Sequence, residues 1–135
     1  MGKEHNSFIV HIEKVEDNIP TGWYMNPYIE EYIPFRGLSD MVLKIDDSLH
    51  ELMEKEERGE SSEMTCYHSL RDFTCQRKPQ FFYLIQILYT CHYSWQGVLT
   101  GTNQPRIAFK SVQDCIYKIN QAMQGKQLRR KQKIN

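Results

Sequence analysis

Apolar residues along the chain follow two rhythms, one of period two and one of about 3.6. Phe8, Val10 and Ile12 alternate with His11 and Glu13, which predicts a strand with one apolar face. The run 81–89, FFYLIQILY, is apolar on both faces and reads as a central strand that needs cover on each side. Two stretches change to the helical period. Leu38, Met41, Val42, Ile45 and Leu49 fall at i, i+3, i+4, i+7 and i+11, and so do Val112, Cys115, Ile116, Ile119 and Met123. Each set is a single stripe on one face of a helix, which predicts helices over about 38–56 and about 111–124. Ser111 followed by Asp114 matches the start of a capping box, and Gly37 or Ser39 is placed to begin the first helix.

The two helical stretches belong to a longer correspondence. Residues 35–46, FRGLSDMVLKID, align without a gap on residues 109–120, FKSVQDCIYKIN, at an offset of 74. Self-similarity of this kind suggests a repeated supersecondary unit. Upstream of each helix lies strand-rich sequence. In the first half Pro20-Thr21-Gly22 reads as a turn before Trp23, and Asn26-Pro27 as a break before a third stretch at 28–33. In the second half Trp95 precedes Gln96-Gly97, a strand follows at 98–100, a turn at 101–105 and a short strand at 106–109. The fold class expected is therefore α+β: a strand meander plus helix (βββα) occurring twice, in one antiparallel sheet with two helices on one side. Residues 1–135 form a single domain in this reading. Its halves lie at about 7–57 and 81–124, with a linker at 58–80 in which 65–73 has strand character, and a polar, basic tail at 125–135 that frays.

Composition narrows the class. At 135 residues, with 40% hydrophobic, 12% aromatic and 25% charged positions, the chain can bury a core and lacks the signature of disorder. Mean hydropathy is −0.63, and no apolar run approaches the roughly 18 residues that cross a bilayer. MGKEHNSFIV has no apolar leader segment, and Asn6 stands where a myristoylation signal has Ser or Thr. The expected location is cytoplasmic. Cys66, Cys75, Cys91 and Cys115 are then reduced thiols, with Cys115 a small core residue on the second helical stripe.

A formal net charge of zero hides a division. Residues 1–63 carry 15 acidic and 6 basic side chains, a balance of −9, and residues 64–135 carry 2 acidic and 11 basic, a balance of +9. Attraction between the halves, within one molecule or across a homodimer, accounts for this most simply. The alternative is that the basic half faces a polyanion, with Arg106, Lys110, Lys118, Arg129 and Arg130 as the nucleic-acid contacts. Tyr83, Tyr89, Tyr93 and Tyr117 would offer stacking platforms among those cations, although strand propensity explains the tyrosines equally well.

Candidate chemistry is sparse. Cys66-x-His68, Cys75 and Cys91-His92 lack the tight ligand pairs of zinc sites, and adjacent strand residues point to opposite faces. The carboxylate pairs Glu30-Glu31, Asp46-Asp47 and Glu56-Glu57 sit in stretches that read as exposed. No glycine-rich phosphate loop is present. Trp23 and Trp95 read as core or turn-packing residues. The expectation is a non-enzymatic interaction or regulatory module without metal or cofactor, whose two-faced strand at 81–89 is covered on its second side by the linker, a protein partner or a second copy. A nucleic-acid-binding regulator is the alternative.

Tyr89-x4-Ser94-Trp95-Gln96-Gly97, followed by Phe109-Lys110-Ser111-Val112 and by Ile116-x2-Ile119-Asn120-x-Ala122-Met123, resembles a group of short uncharacterised bacterial proteins. These carry a strand ending in a Ser-Trp-Gln-Gly turn and then a Phe-Arg-Ser helix. The resemblance covers about residues 81–124 and, as a degenerate copy, about 8–50, where Tyr24 follows Trp23 and Gly37 replaces the serine. It implies no activity. A looser likeness in strand and helix order is to HicB-type antitoxin domains, and it carries no function across.

Overall fold

The computed structural model describes residues 6–59, 65–69, 82–91, 94–101 and 106–134, with only the backbone described at 89–91, 94 and 124–134. β1 (Ser7–Glu16) and β2 (Ile19–Met25) form a hairpin, followed by β3 (Ile33–Arg36) and α1 (Leu38–Glu57). β4 (Phe82–Cys91) and β5 (Ser94–Gly101) pair next, then β6 (Ile107–Phe109) leads into α2 (Val112–Ile134). All six strands join one antiparallel sheet in the order β3-β2-β1-β4-β5-β6. Among the described residues the fold is α+β with a six-stranded antiparallel sheet and two helices.

β1 and β4 meet at the centre of the sheet. Phe8 lies opposite Ile85 and Val10 opposite Tyr83. Their alternation puts Phe8, Val10, Ile12, Tyr83, Ile85 and Ile87 on one face, where they join Met41, Ile45 and Leu49 of α1 and Cys115, Ile119 and Met123 of α2 in a single buried cluster. Both helical stripes thus find the same sheet face, as single-stripe helices must. Inside this cluster the Tyr24 and Ser48 hydroxyls lie 2.7 Å apart, which satisfies two buried polar groups mutually. Desolvation pushes the Tyr24 hydroxyl up to about 12, and the Tyr83 hydroxyl likewise to about 12.

Bulges interrupt both hairpins at one place each. The β1–β2 register shifts between Ile12 and Lys14, next to Gly22, and the β4–β5 register shifts between Ile87 and Tyr89, next to Gly97. A β-carbon on Gly22 would lie 1.9 Å from the His11 carbonyl oxygen, and one on Gly97 would lie 2.0 Å from that of Gln86. Only glycine admits so close a backbone approach.

Several expected boundaries move. The first hairpin turns at Asp17-Asn18, whose φ values of 53° and 65° suit the tight primed turns of hairpins. Pro20-Thr21-Gly22 therefore lies inside β2 instead of forming the turn. The third strand is Ile33–Arg36, not 28–33, because Asn26 holds the preceding loop out of the sheet. Its Oδ1 accepts from the Tyr28 N–H at 2.8 Å and its Nδ2 donates to the Ser7 carbonyl at 3.1 Å. Ser94–Gly97 opens β5 and is strand, not turn. Residues 65–69 are not strand. They run beside the 26–32 loop, with the Tyr67 N–H donating to the Pro27 carbonyl at 2.7 Å. The rest of the 58–80 linker beyond Gly59 and outside 65–69 lies outside the described residues. α2 continues to Ile134, past the expected end at 124, since the added residues other than Gly125 are mostly strong helix formers.

Candidate functional site

Each helix is tied to the edge strand that precedes it by an Asp and a Lys one turn apart. Asp40 Oδ2 accepts from the Arg36 N–H at 3.0 Å, and Lys44 Nζ donates to the Pro34 carbonyl at 2.8 Å. At the other edge Asp114 Oδ2 accepts from the Lys110 N–H at 2.9 Å, and Lys118 Nζ donates to the Ala108 carbonyl at 2.6 Å. Lys44–Asp40 and Lys118–Asp114 close the two sets at 3.2 and 3.1 Å. The Arg36 N–H, helped by Lys44, holds the Asp40 carboxyl below the usual carboxylate range, and Lys110 and Lys118 do the same for Asp114. Helix starts differ: Ser111 Oγ accepts from the Asp114 N–H at 3.0 Å, whereas Gly37 caps α1 without a side chain.

Between α1 and the first turn of α2 opens a cleft of about 450 Å³, within the range of ligand-binding sites. Val42, Leu43 and Asp46 line it from α1, Val112 and Gln113 from α2, and Trp95 from the sheet. Trp95 is 1% exposed, so its indole N–H must find an acceptor inside the protein. It donates to Asp46 Oδ1 at 2.9 Å, across 49 residues of sequence. Asp46 Oδ2 lies 3.5 Å from His50 Nδ1, which is also 2.8 Å from the Asp46 backbone carbonyl. The Asp46 side chain keeps 28% of its surface exposed, and Leu43 is 66% exposed beside it.

The opposite sheet face carries an aromatic ladder. His11 stacks on Phe82 with ring centroids 4.3 Å apart and meets Trp23 edge-on at 5.1 Å. Trp23 in turn stacks on Tyr32 at 4.7 Å, and Tyr32 tilts against His68 at 5.3 Å. Ile9, Met25 and Phe82 are buried here. Farther along this face, toward β5, Leu84, Gln86 and Val98 are half-buried and Leu88 is exposed. His11 Nδ1 is buried without a hydrogen-bond partner, and desolvation lowers its pKa against a smaller opposing effect of Glu13.

A group whose folded pKa is depressed in this way resists a proton that the unfolded chain accepts below its ordinary value of about 6.5. Stability from this source is present at higher pH and falls away as pH drops below that value. His11→Phe should remove this loss while keeping the stack. Urea midpoints at pH 7.5 and 5.5 should therefore differ less in His11→Phe than in the parent chain, and an equal or larger difference would refute the assignment.

The residues singled out by sequence fall in different places. Arg106 and Lys110 are exposed at the two ends of β6, while Lys118 is committed to Ala108 and Asp114. Arg129 and Arg130 lie on α2 where only the backbone is described, and Arg77, Lys78 and Tyr93 lie outside the described residues. Tyr83 is 1% exposed in the core and presents no stacking platform. Tyr117 is exposed, its hydroxyl accepting from Gln121 Nε2 at 2.8 Å. Among the described residues no three His, Cys, Asp or Glu side chains gather as for a metal, and no helix is long and apolar enough to cross a membrane. Asp46 departs from its expected place on a solvated face. It follows Ile45 and lies one turn after Val42, so it stands at the margin of the apolar stripe, a signal the helical period already contained.

The thiols separate by burial. Cys115 is fully buried and desolvation pushes its thiol up to about 12, whereas Cys66 is an exposed free thiol. Since the thiolate is the reactive form, iodoacetamide at pH 8 should label Cys66 rapidly and leave Cys115 unmodified until urea is added. Peptide mass spectrometry reads both sites, and comparable labelling rates in the folded chain would contradict the packing.

Comparisons of the chain with protein-family models, with curated proteins and with solved structures return no match.

Proposed function

We propose that this protein is a small non-enzymatic interaction module of the cytoplasm that engages its ligand at the Trp95–Asp46 cleft. The cleft itself carries the reading. It combines ligand-sized volume and apolar walls with a few polar groups, Asp46, Ser111 and Gln113, at the junction of three elements, the usual make-up of a recognition site. Free thiols at Cys66 and Cys115 suit a reducing compartment. Nitrogen-15 NMR with a library of small fragments tests the site. Hits should perturb the Trp95 indole resonance and the amides of Leu43, Asp46 and Gln113, and a screen in which hits cluster elsewhere or none is found would defeat the reading.

The architecture has a proposal of its own: the halves are copies of one βββα unit related by a pseudo-two-fold axis between β1 and β4. Supporting it are the strand order, the paired bulges with their glycines, and the Asp–Lys ties that recur at an offset of 74. The alternative function is a nucleic-acid-binding regulator, for which Arg106 and Lys110 are the exposed cations flanking β6. A gel shift at low and moderate salt decides it. Phosphate contacts would weaken steeply with salt, and absence of any shift at low salt eliminates them.

A further inference from the structure

We infer that the cleft is built for an organic cation, an ammonium or guanidinium on an aliphatic stem, supplied by a lysine or arginine side chain of a partner protein or by a free amine. The inference rests on the cleft being the binding site. Holding the Trp95 indole requires only an acceptor oxygen, which a neutral amide would provide as well. Asp46 adds a negative charge that this bond does not use, and it places that charge beside the aliphatic side chains of Val42, Leu43 and Val112, with the neutral Ser111 and Gln113 completing the lining. The basic side chain beside it is His50, whose Nδ1 lies 3.5 Å from Asp46 Oδ2 but nearer, at 2.8 Å, to the Asp46 backbone carbonyl. Among the described residues no lysine or arginine pairs with Asp46: Lys44 is drawn to Asp40 and Pro34, and Lys118 to Asp114 and Ala108. One oxygen is anchored by the indole, so the carboxylate is oriented before any ligand arrives. A charge-assisted hydrogen bond to it is stronger than a neutral one, and the apolar walls match the methylene stem that basic side chains lay along such surfaces.

The test uses the full chain labelled with nitrogen-15, following the Trp95 indole N–H, assigned through Trp23→Phe. The probes are n-butylammonium, n-butanol and butyrate, which share the stem and differ in charge. Butylammonium should shift the resonance saturably, with a dissociation constant on the order of millimolar for so small a ligand. Butanol should bind at least about ten-fold more weakly, Asp46→Asn should erase the preference, and added sodium chloride should weaken the ammonium alone. Salt dependence reports on the parent chain, so the test does not depend on the variant folding. Equal binding of butanol and butylammonium overturns the cationic assignment and leaves the cleft standing as a site, and so does a preference for butyrate. A resonance that no probe moves removes both. A lysine-bearing peptide such as acetyl-Leu-Lys-Leu-amide that binds more tightly than butylammonium assigns the cation to a partner protein, and the reverse order assigns it to a free amine. Either order supports the cation.

Discussion

Gly97→Ala is expected to disrupt the β4–β5 hairpin, and Gly22→Ala the β1–β2 hairpin. In each case the added carbon would stand about 2 Å from a carbonyl oxygen of the neighbouring strand's backbone. Backbone cannot rotate away as a side-chain tip can, so the strands must separate or the bulge must reorganise. At Gly97 the Phe109 ring, 3.0 Å from the same point, blocks retreat toward β6. The loss should reach or exceed about 3 kcal/mol, the upper end of ordinary overpacking. Urea unfolding followed by circular dichroism measures it. Gly59→Ala is the comparison: φ there is +76° but nothing lies within 4 Å, so only backbone strain of about 1 kcal/mol applies. Losses of the same size at all three glycines would mean that close approach is not what Gly22 and Gly97 provide.

Trp95→Ala should cost about 3–5 kcal/mol, the range for deleting a large buried aromatic side chain. Trp95 is among the largest fully buried side chains of the described residues and packs in the core that both helices share. Trp95→Phe separates two contributions. It keeps much of the packing and removes the N–H, leaving Asp46 Oδ1 without its donor. Because Asp46 remains partly open to water, the lost bond should account for about 1–2 kcal/mol. Thermal and urea unfolding of both variants would show the order parent, phenylalanine, alanine. A phenylalanine variant as unstable as the alanine one would shift the weight from packing to the hydrogen bond.

Much of the fold was legible because it is written in periodicity. The stripes beginning at Leu38 and Val112 are helices, Cys115 is buried on the second, and 82–91 is a central strand. The same rules misplaced what depends on geometry between strands. The first strand was expected to have one apolar face, yet Ile9 on its other face is buried too, because β1 is as central as β4. Pro20-Thr21-Gly22 reads as a turn by residue type, but its glycine serves the bulge opposite Ile12. The cleft was invisible for a related reason. Asp46 and Trp95 are 49 positions apart, and no local pattern joins a helix margin to the first residues of a strand two elements later. Trp95 was rightly read as a packing residue, but its N–H acceptor emerges only once α1 lies across the sheet.

The ties at Lys44 and Lys118 bear on how this protein behaves in a crowded solution. A sheet ends in two rows of backbone donors and acceptors, and any extended chain that docks there lengthens it. Here the terminal strands are only four and three residues long, and at each one a lysine ammonium already occupies a carbonyl, of Pro34 on β3 and of Ala108 on β6. Pro34 also removes a donor from its edge. Charged, short and proline-bearing rims are poor templates for strand addition. Stacking of molecules rim to rim into fibrils is thereby obstructed at both ends, and association through paired backbones is the mode this architecture resists.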